Sequence, residues 1–216
     1  MIGAILKRDI ALLLGGGRRG GAMLPILFFL AVAMLYPFAV GPDAKLLART
    51  GGGVVWVAAL LAAILPLDRL IEPDLEAGVF DQLALRGMAD EVTCAIRILA
   101  HWLSFAVPLM LATPIAAVLL GLSGAQLMTL ELGLLAGTPG LAALGVAVAA
   151  VTAGLRGGAA LAGLLILPLA VPLLIFGAGS LSTGGEGGIA LTGAASLVLV
   201  ALSPFAAGAA LRAARE

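Results

Sequence analysis

Six apolar blocks, each long enough to cross a bilayer, dominate this chain: about residues 23–41, 51–67, 98–121, 127–153, 159–179 and 189–210. A helix needs roughly 20 mostly apolar residues to traverse about 30 Å of hydrocarbon. The pattern therefore predicts an all-α membrane protein with six transmembrane helices. The composition supports this: the chain is 62% hydrophobic and only 11% charged, against about 25% charged in soluble domains. Thr138-Pro139-Gly140 interrupts the fourth block, which reads either as one kinked span or as two half-spans. Pro168 and Pro172 predict a bend in the fifth.

Charge orients the blocks. Six spans put both termini on one side. The amino-terminal segment 1–22, the loop 68–97, Arg156 and the tail 211–216 hold ten of the twelve Lys and Arg residues, and the opposite loops hold Lys45 and Arg49. The positive-inside bias then places both termini and the 68–97 loop in the cytoplasm. Residues 1–22 carry Lys7, Arg8, Arg18 and Arg19 against one acid, Asp9, around a short apolar patch. They read as a cytoplasmic amphipathic segment lying on the membrane, broken at Gly15-Gly16-Gly17. A cleaved signal peptide is not expected, because Met23 to Val40 is long for such a core and Gly41-Pro42-Asp43 follows it.

The loop 68–97 is the least membrane-like stretch. It holds Asp68, Glu72, Asp74, Glu76, Asp81, Asp90 and Glu91, seven of the twelve acids, with Arg69, Arg86 and Arg97. Pro73 suits a first helical turn, and Asp74 and Glu76 suit the positive end of a helix dipole. Leu75, Val79 and Leu83, with Phe80 beside them, form a short amphipathic stripe that Gly87 would end. A second turn is expected from Ala89 through Arg97 into the third span. The stripe predicts either packing on the protein's own spans or docking of a separate protein. The pattern alone does not choose.

Motifs for chemistry are missing. No phosphate-binding G-x-x-x-x-G-K-[ST] loop, H-E-x-x-H, G-x-S-x-G or C-x-x-C occurs. Cys94 is the only cysteine and His101 the only histidine, so no disulfide and no multi-residue metal site is expected. Zero net charge gives no nucleic-acid signal. The chain reads as a non-catalytic protein. Two ionisable residues fall about one turn inside spans: His101 on the cytoplasmic side and Glu131 on the external side. Such groups bond a neighbouring helix, snorkel, or serve function, and an imidazole can ligate haem iron. Trp102 reads as an interfacial anchor.

Several pieces in order carry a family resemblance. They are Tyr36-Pro37-Phe38-Ala39-Val40-Gly41-Pro42; Leu67-Asp68-Arg69-Leu70 with the acidic segment; Phe80-Asp81-Gln82-Leu83; and Leu99-Ala100-His101-Trp102-Leu103, followed by Pro108-Leu109 and Thr113-Pro114. Gly137-Thr138-Pro139, Gly154-Leu155-Arg156-Gly157-Gly158, Leu167-Pro168-Leu169 and Pro172-Leu173-Leu174-Ile175-Phe176-Gly177 complete the set. Across nearly its whole length the chain resembles the CcmB family, the permease subunit of the ABC-type haem exporter of bacterial cytochrome c maturation. Tyr36, where phenylalanine is common, and the polar run Arg86-Gly87-Met88-Ala89-Asp90 are its departures.

The resemblance implies a six-span, ABC-2-like permease of the bacterial inner membrane. Its partners would be a cytoplasmic ATPase subunit, other cytochrome c maturation membrane proteins and a periplasmic haem chaperone. ATP would act only through the ATPase, and haem would enter as substrate. The ATPase-coupling surface expected from it is Asp68, Arg69, Asp74, Leu75, Glu76, Val79, Phe80, Asp81, Gln82 and Leu83. His101 and Trp102 are its haem-related candidates. The competing expectation is a membrane scaffold for haem-handling partners with no transport cycle. An ion-coupled carrier is disfavoured, since the spans hold few charges beyond Glu131.

Overall fold

A computed structural model describes residues 1–15, 21, 23–41, 43–182, 185 and 187–215. Arg18, Arg19, Gly16, Gly17 and Pro42, used above, lie outside these. Among the described residues the regular structure is helical. A short amphipathic helix, α1 (Ile2–Leu14), precedes α2 (Met23–Val40) and α3 (Ala44–Ile64). A 3-10 turn (Leu67–Arg69) and two short helices, α4 (Glu72–Glu76) and α5 (Val79–Leu85), lead into α6 (Asp90–Leu119). Then come α7 (Gly124–Thr152), α8 (Gly158–Gly179) and α9 (Gly188–Arg215). Six of these, α2, α3, α6, α7, α8 and α9, are long and apolar enough to cross a membrane. The chain is a multi-pass membrane protein.

Local sequence explains where the helices start. The Asp43 carboxylate accepts from the backbone N–H groups of Lys45 and Leu46, at 2.9 and 3.1 Å, and so caps α3. Ser123 and Gln126 form a reciprocal capping box at α7. The Gln126 amide also donates to Ala48 O at 3.1 Å, tying α7 to α3. The predicted turn from Ala89 is the first part of α6 itself, which runs unbroken from Asp90 into the membrane. The Leu75/Val79/Leu83 stripe is carried by two helices, not one. Ala77 and Gly78 separate them, and Gly78 has a left-handed φ of 65°. Gly87, at φ 78°, ends the second as expected.

The buried centre is α7. Its fourth-block ambiguity resolves as one continuous helix through Pro139. Interior proline is tolerated in a membrane when neighbouring groups satisfy the backbone around it. Here the Gly140 N–H donates to Ser196 Oγ of α9 at 2.8 Å, and a Cβ at Gly140 would lie 2.9 Å from Ser196 Cα. The missing side chain is what lets α9 approach. A second close fit surrounds Trp56 of α3, which is buried in a slot lined by Gly133 and Gly137 of α7 and Gly177 of α8. The Gly133/Gly137 spacing serves to admit this indole. The outer faces of α2, α8 and α9 stay apolar and uncovered, as at Phe38, Leu164 and Leu197.

Candidate functional site at the ionic end of the bundle

One end of the bundle gathers α1, the turn after α3, α4, α5, the start of α6 and the end of α9. Two ionic clusters hold it together. In the first, Asp9 of α1 is fully buried and Arg97 of α6 is 2% exposed. Their charged groups lie 3.2 Å apart. Arg97 also donates to one oxygen of Asp74 in α4, and Arg8 of α1 donates to the other. Arg8 closes the ring to Asp9 at 3.4 Å. Two guanidiniums thus meet two carboxylates, so the buried group is neutral as a whole. The Arg97 guanidinium also sits 6.0 Å above the ring of buried Phe80 of α5. Burial pushes the Asp9 carboxyl above its ordinary value of 3.8, while the charges of Arg97 and Arg8 oppose that shift.

The second cluster fastens the carboxy-terminal end of α9. Arg215 donates to Asp90 at 2.5 Å and to Asp81 of α5 at 3.3 Å. Arg212 donates to Glu91 at 2.6 Å. Acids in the first turn of α6 and arginines in the last turn of α9 each complement the local helix dipole. Close approach is enabled by Gly208, where a Cβ would lie 3.2 Å from Glu91 N. Residues 211–215 of the expected tail are therefore the end of α9, with Arg212 and Arg215 engaged in holding the loop, while Glu216 lies outside the described residues.

These contacts sort the residues expected to form a docking surface. Asp74 and Phe80 are buried, the first in the ion cluster and the second under Arg97. Leu75, Val79 and Leu83 are half-buried; Leu75 packs on the main core, while Leu83 packs on a small cluster of Ile5, Met88 and Ile96. Asp68 and Arg69 are partly exposed and pair with each other at 3.8 Å. Glu76, Asp81 and Gln82 face outward. Beside them stands Leu85, 89% exposed on α5, with exposed Arg86 next to it. The stripe reading missed Leu85, because it falls outside the i, i+4 series of Leu75, Val79 and Leu83. It missed Asp9 and Arg97 as partners because they are 88 positions apart.

The remaining candidates lie within the spans. His101 is wholly buried, its ring 4.9 Å from that of Phe105, and neither ring nitrogen has a hydrogen-bond partner among the described residues. A Cβ on Gly145 of α7 would lie 3.2 Å from His101 Nε2 and 3.1 Å from Leu67. Trp102 donates to Thr138 Oγ1 at 3.0 Å, so it joins α6 to the Pro139 region of α7. Glu131 is partly exposed on α7, near the end opposite the ionic clusters. No group of three or more His, Cys, Asp or Glu residues able to hold a metal occurs among the described residues.

A sequence model of the CcmB family, described as "CcmB protein", matches residues 1–214. The chain is similar to "Heme exporter protein B" of Rhodobacter capsulatus, 45% identical over 214 residues that cover 97% of each chain. It is similar to the protein of that name from Bradyrhizobium diazoefficiens, 43% identical over 98% of this chain and 97% of the relative. The Escherichia coli protein of the same name is 40% identical over 87% of this chain and 88% of its own length. With a match along nearly its whole length and relatives above 40% identity, the chain belongs to the CcmB family.

Proposed function

We propose that this chain is the membrane subunit of a haem export complex of the bacterial inner membrane, and that ATP hydrolysed on a separate subunit acts on it through the ionic end. The relatives' shared name, heme exporter protein B, supports the haem assignment. The charge bias supports a cytoplasmic ionic end, with both termini there. The observation that carries the coupling is the Arg97 ring. It ties α4 rigidly to α6, a helix that continues without a break across the membrane. A push on the loop is therefore a push on a span. Hydrolysis can bias the spans only if the ATPase contacts this surface differently in its two states.

Within the loop the roles divide. Asp74, Phe80 and Leu75 are the foundation, while Glu76, Asp81, Gln82 and Leu85 are the contact face. An exposed leucine beside polar neighbours fits an apolar socket on the partner, where full burial of its side chain contributes about 1.5–3 kcal/mol. The test replaces Leu85→Asp, and separately Glu76→Lys with Gln82→Lys, in the complete complex. Loss of an anchor worth about 2 kcal/mol weakens association roughly 30-fold. The expected result is loss of the ATPase on co-purification and loss of its stimulated activity, with the six-span fold intact. Undiminished co-purification and activity in both variants would sink the coupling surface. If an ATPase-inactive partner left release of the haem-loaded chaperone unaffected, the chain would instead be a scaffold.

A further inference from the structure

Three successive glycines in α3 meet different surroundings. A Cβ at Gly51 would lie 3.0 Å from Leu120, and one at Gly52 would lie 2.3 Å from Leu181, so close packing explains both. A Cβ at Gly53 would meet nothing within 4 Å. Gly53 opens instead onto a cavity of about 610 Å³ between α2, α3 and α8, walled by apolar groups such as Val32, Val57, Leu174 and Ile175. Tyr36 and Thr50 also line it, and the Tyr36 hydroxyl donates to Thr50 Oγ1 at 2.9 Å. Across Gly53 and Ala178 it adjoins a second cavity of about 400 Å³, which is lined by Arg49, Gln126 and Ser182.

The two spaces together have the polarity of an amphipathic molecule. Arg49 and Gly53 lie four apart on one helix face. From Thr50 to Val57 the apolar groove follows α3 for about 10 Å. Arg49 is exposed and makes no ion pair or hydrogen bond with a described residue. Its positive charge stands at the polar end of an apolar trench, at the bundle end opposite the ionic clusters. Both volumes fall in the usual range for small-molecule sites, roughly 300–1,000 Å³.

We propose that this trench is a phospholipid seat, with an acyl chain lying along α3 between α2 and α8 and the phosphate on Arg49. A porphyrin carrying iron fits less well, because no His, Cys or Met lines either cavity and the Tyr36 hydroxyl is already engaged. An apolar helix of a second copy would fill the trench but leave Arg49 unanswered. A phospholipid satisfies both ends at once. The lipid would come from the leaflet that faces Arg49.

The test is native mass spectrometry of the full chain, delipidated and then titrated with a phosphatidylglycerol or with a diacylglycerol that lacks the phosphate. Four forms are compared: unchanged, Arg49→Gln, Gly53→Leu and Gly53→Ala. The unchanged chain should retain one phosphatidylglycerol at least tenfold more tightly than Arg49→Gln does, and should hold diacylglycerol no better than that variant. Gly53→Leu should lose the site by filling it, and Gly53→Ala should keep it, since one methyl meets open space. Both substitutions favour helix over glycine, so folding is preserved. Equal retention by all four forms overturns the proposal. So does haem absorbance that titrates onto the unchanged chain and disappears in Gly53→Leu while phosphatidylglycerol binding persists. A cysteine at Ile175, in a Cys94→Ala background, that cross-links two copies across the trench with no lipid bound would also overturn it.

Discussion

The Arg97 guanidinium lies 3.2 Å from the Asp9 carboxylate with both side chains out of solvent, and this pair fastens α1 onto α6. Arg97 serves Asp74 as well, so one cation neutralises carboxylates from two other elements. Removing one member of a buried ion group strands the rest, at about 3–5 kcal/mol. Arg97→Ala should therefore be severely destabilising, since it leaves two acids facing only the half-exposed Arg8. Replacing the acids as well, as Arg97→Met with Asp9→Leu and Asp74→Asn, should recover much of the loss. Survival of the monodisperse peak after heating, read by size-exclusion chromatography, measures both. A triple variant no more stable than Arg97→Ala alone would mean that the ring is not the source of the cost.

The same ring gives a pH dependence of known sign. Burial raises the Asp9 carboxyl above its ordinary value in the folded chain. The folded state then holds that proton better than the unfolded state does. The stabilisation this provides is complete below the unfolded value and is lost as pH rises through the folded one. Asp9→Asn cannot titrate. The unchanged chain should lose melting temperature relative to Asp9→Asn as pH rises from about 4 toward neutrality. Asp9→Asn should also cost less than Arg97→Ala, because Arg97 keeps Asp74. A relative gain of the unchanged chain over the same interval would reverse the assignment.

The Trp56 slot predicts strong coupling between distant positions. A Cβ on Gly177 would stand 2.3 Å from Cζ2 of the indole, and one on Gly137 2.6 Å from Cη2. Neither helix backbone can yield easily, so Gly177→Ala should destabilise by about 1–3 kcal/mol, as overpacking does. Trp56→Leu alone should destabilise by leaving a void. Combined, the two changes should cost less than their sum, and a double-mutant cycle on thermal stability reads the difference. Simple additivity would show that the indole moves aside at no cost.

Hydropathy located the six spans because bilayer thickness fixes the length of an apolar block. The apolar block of the third span starts near residue 98, while the helix that carries it, α6, begins at Asp90 in the polar stretch where a turn leading into the span was expected; Arg215 of α9 pairs with Asp90 there. Pro73 and Gly87 marked the loop's helical limits, since both act through local backbone geometry. Gly78 split the stripe, and periodicity does not register a left-handed residue between two matching leucines. Which acids face outward was not legible. Asp74 and Asp81 look alike in sequence, yet one is enclosed by arginines from α1 and α6 and the other is largely open. Gly133 and Gly137 stand four apart in the sequence, but nothing local names the side chain they admit, since Trp56 comes from 77 residues earlier than Gly133.

His101 offers the sharpest separation of stability from function. It is fully buried beside Phe105 and Gly145, and neither ring nitrogen is bonded among the described residues. A buried polar group without a partner costs about 1–3 kcal/mol, and an apolar residue of similar shape removes that cost. His101→Leu should therefore be as stable as the unchanged chain or more so. The check is heated size-exclusion chromatography beside a haem-stained cytochrome c assay in cells. Full stability with cytochrome c assembly lost would assign the imidazole to a state in which its nitrogens find a partner, haem iron included. Full stability with assembly intact would remove His101 from the haem-related candidates. A clear loss of stability would contradict the reading of an unsatisfied ring, and would mean that the imidazole is bonded in the membrane-embedded protein.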